Sequence, residues 1–119
     1  MKRLAFGVAL LLGQGAAAQE AVNWGDGAVL RSLDKLDAKV EDLTLSNGEA
    51  ATMGLLTVEL TECRYPVGDP SGNAYAFLTI REKGVDEPVF RGWMIAASPA
   101  LNPLEHARYD VWVLRCTTS

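Results

Sequence analysis

Leu56, Val58 and Leu60 alternate with Thr57, Glu59 and Thr61, and no other pattern in the chain restricts its fold as much. A two-residue period sends successive side chains to opposite faces of an extended backbone, so this segment reads as a half-buried strand. The strand runs toward Cys63, which strict alternation would put on the polar face with Thr61. A bulge near Glu62, or a bridge outside the core, resolves that conflict. The same period returns from Ala74 to Arg81, where Tyr75, Phe77 and Thr79 oppose Ala76, Leu78 and Ile80. Val89 to Ala96 is a further apolar strand, with Phe90 and Trp93 on opposite faces. Tyr109 to Cys116 closes the domain, with Tyr109, Val111 and Val113 facing away from Trp112 and Leu114.

Earlier in the chain the pattern is weaker. Val29 to Leu33 and Val40 to Leu45 read as two strands around a hairpin at Leu36-Asp37-Ala38, with the next turn at Ser46-Asn47-Gly48. A helix from Leu30 to Leu43 competes, because Val29, Leu33, Leu36, Val40 and Leu43 also fit a helical repeat. Strands are preferred, since the turn-rich remainder needs pairing partners. Tyr65 to Asn73 is a loop rich in proline and glycine, and Glu82 to Pro88 turns the chain again. Ala97 to Arg108 is too long for a tight hairpin, and Pro103 suits the start of one helical turn over Leu101 to His106. Five or six short strands without long helices make the expected fold mainly β. A small single-domain antiparallel sandwich or barrel with one long C-terminal loop fits this pattern.

The N-terminus bears on location. Met1-Lys2-Arg3 is a positive start, Leu4 to Leu12 an apolar stretch, and Gly15-Ala16-Ala17-Ala18 a run of small residues suited to cleavage after Ala18. The apolar run is far shorter than the roughly 20 residues of a spanning helix. The expected organisation is therefore a signal peptide at 1–18, a polar, glycine-bearing and loose lead-in segment at 19–27 and a β domain at 28–117, exported to the periplasm without stable membrane insertion. The full chain has 11 basic and 15 acidic residues; without Lys2 and Arg3 the basic count falls to 9 and the net charge to −6. So acidic a domain repels phosphate backbones, which argues against nucleic acid as a partner. Cys63 and Cys116 are the only cysteines. In an oxidising compartment they are expected to form a disulfide, which would contribute about 4 kcal/mol on the chain-entropy argument. Two separate buried thiols are the alternative, and the lone His106 is too little to complete a zinc site with them.

Four runs in the C-terminal part carry a further signal: Gly92-Trp93-Met94, Ser98-Pro99-Ala100-Leu101, Leu104-Glu105-His106, and Tyr109-Asp110-Val111-Trp112-Val113-Leu114-Arg115-Cys116. Together they resemble the signature of a proteobacterial family of exported proteins, the domain-of-unknown-function family 2155. Ala28 to Lys35 and Gly54 to Val58 are similar to it as well, so the resemblance runs from about Gly27 to Cys116. It implies an exported location and assigns no activity.

Ser98, His106 and Asp110 have the residue types of a hydrolytic triad, but no glycine-flanked elbow surrounds the serine. Glu105, His106 and Asp110 could ligate a metal, though usual sites recruit a second histidine. Such a hydrolase or metal-dependent enzyme on the Ser98–Asp110 loop is the alternative reading. The preferred one has no catalytic residues, no metal and no cofactor, with Ser98, Glu105 and His106 holding the loop. Trp93 and Trp112, with Tyr75, Phe77, Phe90 and Tyr109, are rich in aromatic surface for one small sheet; core packing is the preferred reading of these rings, and a binding face for peptide or glycan is the alternative. The candidate binding surface is accordingly Trp93, Ser98, Glu105, His106, Tyr109, Asp110 and Trp112. Its expected partner is a protein or another envelope component, and the domain is expected to serve as an interaction or accessory module.

Overall fold

In a computed structural model, residues 21–118 are described, and the expected signal segment lies outside them. Eight strands follow in chain order: β1 Val22–Trp24, β2 Gly27–Asp34, β3 Lys39–Ser46, β4 Ala50–Met53, β5 Leu56–Pro66, β6 Tyr75–Glu82, β7 Phe90–Ile95 and β8 Tyr109–Thr117. All pairings are antiparallel. A five-stranded sheet runs β1-β5-β6-β7, with β4 also on β5, and a three-stranded sheet runs β3-β2-β8. From β2 onward the strands follow one another as a meander that returns when β8 pairs with β2. The passages from β3 to β4 and from β7 to β8 divide this ring into two sheets over one shared core.

Alternation decides which side chains enter that core. Leu56, Val58 and Leu60 of β5 and Ala76, Leu78 and Ile80 of β6 are fully buried, as their period requires. Leu60 opposes Leu78 while Glu62 opposes Phe77, so Thr61 is the extra residue of a bulge. The bulge shifts the phase by one and turns Cys63 inward to full burial. β8 repeats the device: Val29 opposes Arg115 and Leu30 opposes Val113, which leaves Leu114 as the extra residue and turns Cys116 inward. Each cysteine thus sits three positions after a buried aliphatic, Leu60 or Val113. The Cys63–Cys116 disulfide joins the two sheets through the core, with Cα atoms 5.7 Å apart.

The hairpin between β2 and β3 is strand, not helix, and local chemistry accounts for it. Asp34 Oδ1 accepts from the Leu36 N–H and Asp37 Oδ1 from the Lys39 N–H. Both are two-residue turns that compete with helical bonding. Cross-strand pairing then aligns Arg31 with Asp42, joined by two hydrogen bonds.

Three local expectations change. The lead-in is not loose over the described residues: β1 falls within it, pairing Trp24 with Arg64, and Gly25 donates to the Cys63 carbonyl at 2.7 Å. A side chain at Gly25 would lie 2.8 Å from the Thr117 oxygen and 2.9 Å from Cys116 Cβ, so only glycine passes the disulfide here. β4 was not expected, because Ala50-Ala51-Thr52-Met53 lacks a marked alternation; its pairing with Leu56–Glu59 creates it. The single turn of the long loop is a 3-10 turn over Pro99–Leu101, with Pro99 at its start, and not one over Leu101 to His106. Leu104 is instead buried and His106 is bonded to β6, which holds that stretch out of a turn.

Candidate binding face

The long loop is tied down by its histidine. His106 Nε2 lies 2.8 Å from Glu82 Oε1, and Nδ1 accepts from the backbone N–H of Arg108 at 3.0 Å and of Tyr109 at 3.3 Å. An Nδ1 that accepts leaves the ring proton on Nε2, donated to Glu82. Lys35 Nζ bonds the His106 carbonyl at 2.9 Å. Arg108 forks to Asp34 through bonds of 3.0 and 2.9 Å and lies 5.0 Å from the Tyr109 ring centre. That guanidinium holds the Asp34 carboxyl below the usual carboxylate range, and the Leu36 N–H acts in the same direction against partial burial. Tyr109 is a core residue, 1% exposed, and its hydroxyl accepts from the Leu55 N–H at 3.1 Å.

The seven residues of the sequence-derived surface therefore do not form one surface. Ser98 and Glu105 are exposed on the loop, and the Ser98 side chain caps nothing. No hydrogen bond among the described residues joins His106 to Ser98 or Asp110. Asp110 and Trp112 are half-buried on β8, where with Pro99, Ala100, Pro103, Leu104 and Val111 they line a cleft of about 270 Å³. Tyr109 points inward and Trp93 belongs to the other sheet. No group of three or more His, Cys, Asp or Glu side chains among the described residues could hold a metal ion.

Trp93 does have neighbours on the outward side of the five-stranded sheet. Register aligns Trp24 of β1 with Arg64 of β5, Arg64 with Tyr75 of β6, Glu62 with Phe77, and Phe77 with Trp93 of β7. The Arg64 guanidinium lies between two indoles, 5.2 Å from the Trp24 ring centre and 5.0 Å from that of Trp93. It also forks to Glu62 through bonds of 3.0 and 3.2 Å. Phe77 meets Trp93 edge to face at 5.3 Å, and Arg91 lies 5.7 Å over Phe77. The result is a ladder of rings and guanidinium groups across four strands, with favourable contacts of cations to ring faces and of ring to ring. Arg64 holds the Glu62 carboxyl below its ordinary range, and a hydrogen bond from the Trp24 side chain adds to that effect against desolvation. Trp24 closes the ladder with 62% of its surface exposed.

The sequence singled out Trp93 and named Phe77 and Tyr75 among its aromatics, but left out Arg64, Glu62 and Arg91. One signal was available: Tyr75 and Phe77 stand on the phase of β6 opposite to Ala76, Leu78 and Ile80, which is the outward one. Nothing local predicts that Arg64 reaches Trp93 two strands away.

The family model described as an uncharacterized protein conserved in bacteria, DUF2155, matches residues 28–116. The chain belongs to this family. It is also similar to an uncharacterized protein of Rickettsia prowazekii (strain Madrid E), with 29% identity over 100 residues. That alignment covers 82% of this chain and 64% of the relative, so the chain spans just under two thirds of the relative's length. No solved structure matches the chain significantly. The DUF2155 match spans β2 to β8 and includes both cysteines, whereas β1 and Trp24 lie before it.

Proposed function

We propose that this DUF2155 chain is an exported, non-enzymatic module of the cell envelope that binds a protein or envelope component through the outward face of β1, β5, β6 and β7. The observation that carries this reading is the ring-and-guanidinium ladder ending on an exposed Trp24. Tryptophan and arginine are the residues most enriched among those that dominate binding energies, and a mutually bonded set is already ordered before a partner arrives. A disulfide across the core accords with a periplasmic location, where such bonds persist. No helix among the described residues is long and apolar enough to cross a membrane.

Two measurements test the proposal. Fractionation should place the protein in the periplasm with both cysteines resistant to alkylation until reduced; a cytosolic protein with free thiols would overturn the export reading. Affinity capture from envelope extract should recover one specific component that is lost with Trp24→Ala and Trp93→Ala together. Capture that survives both substitutions would move binding away from this face.

A further inference from the structure

The outward face has a charge character opposite to that of the whole chain. Net charge is −4, and three of the six described arginines are neutralised where they stand: Arg31 by Asp42, Arg64 by Glu62 and Arg108 by Asp34. Arg81 and Arg91 are exposed and form no ion pair with any described carboxylate. Thr79 opposes Arg91, and Arg81 stands two residues beyond Thr79 on β6, so the two arginines are diagonal neighbours. Such positions are about 7–8 Å apart. That spacing is of the backbone; the Arg91 guanidinium itself leans over Phe77, the opposite diagonal from Arg81. Glu59, opposite Thr79 on β5, pairs with neither.

Arg91 joins the ladder, and Arg81 stands near it on the same face of the sheet. Arg91 lies over Phe77, which meets Trp93, which lies beside Arg64, which lies beside Trp24. A cationic end at Arg81 and Arg91 is thus continuous with an aromatic end at Trp93 and Trp24. Four strands at about 4.8 Å spacing make a face roughly 15–20 Å wide, the scale of a short extended segment and not of a whole domain interface. The surface follows the pleat of a sheet, open to solvent along the ladder.

We propose that this face docks an acidic peptide segment of a partner protein. Carboxylates of the segment bond Arg81 and Arg91, and an apolar side chain packs on the exposed ring of Trp24 beside Trp93. Complementary charge orients the segment, since the screening length in physiological salt is about 8 Å and the local strip outweighs the net charge at contact. Arginine suits the task because its planar fork bonds a carboxylate through two donors. The inference rests on the proposed function and adds to it the chemistry of the partner.

The test uses the disulfide-bonded exported protein and a fluorescein-labelled peptide of alternating Asp, Glu and Leu, followed by fluorescence anisotropy. The acidic peptide should bind, and affinity should fall as NaCl rises from about 0.05 to about 0.5 M. Its counterpart with Asn and Gln should bind at least about tenfold more weakly. Arg81→Ala with Arg91→Ala should lose about tenfold or more in affinity at an unchanged melting temperature. Arg81→Glu with Arg91→Glu should transfer binding to a peptide of alternating Lys and Leu. Failure of the acidic peptide to bind, or binding indifferent to both arginine pairs, overturns the inference. Binding of polygalacturonate or of anionic-lipid vesicles in place of the peptide overturns it too. Envelope capture that needs Trp24 and Trp93 but not Arg81 and Arg91 would leave the proposed function standing and remove only the acidic segment.

Discussion

Arg64 on β5 and Arg108 before β8 are held by the same chemistry: each forks to a carboxylate and lies over aromatic rings. They differ in what the fork joins. Glu62 is two residues from Arg64, on the same strand, so that pair adds little to the tertiary fold. Asp34 is 74 residues from Arg108, and with His106 and Glu82 it ties the long loop to the end of β2 and to β6. The rings differ as well. Tyr109 is 1% exposed and part of the core, whereas Trp24 is 62% exposed. One cluster spends its interactions on closing the molecule, and the other orders a surface that stays open. The same residue types therefore indicate a structural role or a binding role only once burial and sequence separation are known.

The largest break in this comparison is expected from Tyr109→Ala. Removing a buried aromatic costs about 3–5 kcal/mol, and the Leu55 N–H also loses its acceptor. Urea unfolding should show a much lower midpoint, while Trp24→Ala should cost less than about 1 kcal/mol. His106→Ala comes next, at about 1–3 kcal/mol, because it strips the acceptor from two backbone N–H groups. Slower hydrogen exchange in the variant than in the parent at Arg108 and Tyr109 would contradict the role assigned to Nδ1.

Acid should weaken both clusters. Asp34 and Glu62 are each held below the ordinary carboxylate range, chiefly by their arginines. A depressed folded pKa contributes stability that is present above the unfolded value, about 4, and lost as pH falls through the folded one. Unfolding midpoints should therefore drop below pH about 4. Asp34→Asn should remove more of that slope than Glu62→Gln, since Asp34 connects distant segments; equal effects would erase the distinction. The smallest effect belongs to Arg64→Ala. Stability should change by less than about 1 kcal/mol, but quenching of tryptophan fluorescence by acrylamide should rise as the two indoles lose their shared neighbour. An unchanged quenching constant would show that the ladder is not ordered in solution.

Much of the core was legible in the chain. Leu56, Val58 and Leu60, and then Ala76, Leu78 and Ile80, announced their inward face, because a two-residue period is a property of the extended backbone itself. Phe90 and Trp93 separated to opposite faces for the same reason, and the conflict at Cys63 asked for a bulge near Glu62 or a bridge outside the core, of which the bulge is the one present. The site was less legible. Trp93 was found as an aromatic residue, but it was grouped with Tyr109 and Trp112, which register sends to the core and to the other sheet. Short strands β1 and β4 escaped because pairing with β5, not local preference, makes them strands.

Composition and period by themselves determined a mainly β chain, the inward faces of β5 before its bulge and of β6, and the pairing expected of two cysteines, since each follows from the local backbone or from the count of available partners. Tertiary structure alone decided that Thr61 and Leu114 are the inserted residues that turn Cys63 and Cys116 toward each other. It also decided that Arg64 lies between Trp24 and Trp93, 40 and 29 residues away in sequence. The physical reason is common to both: strand register and sheet packing are set by the summed burial of every strand, so contacts between distant positions exist only after the whole sheet has closed.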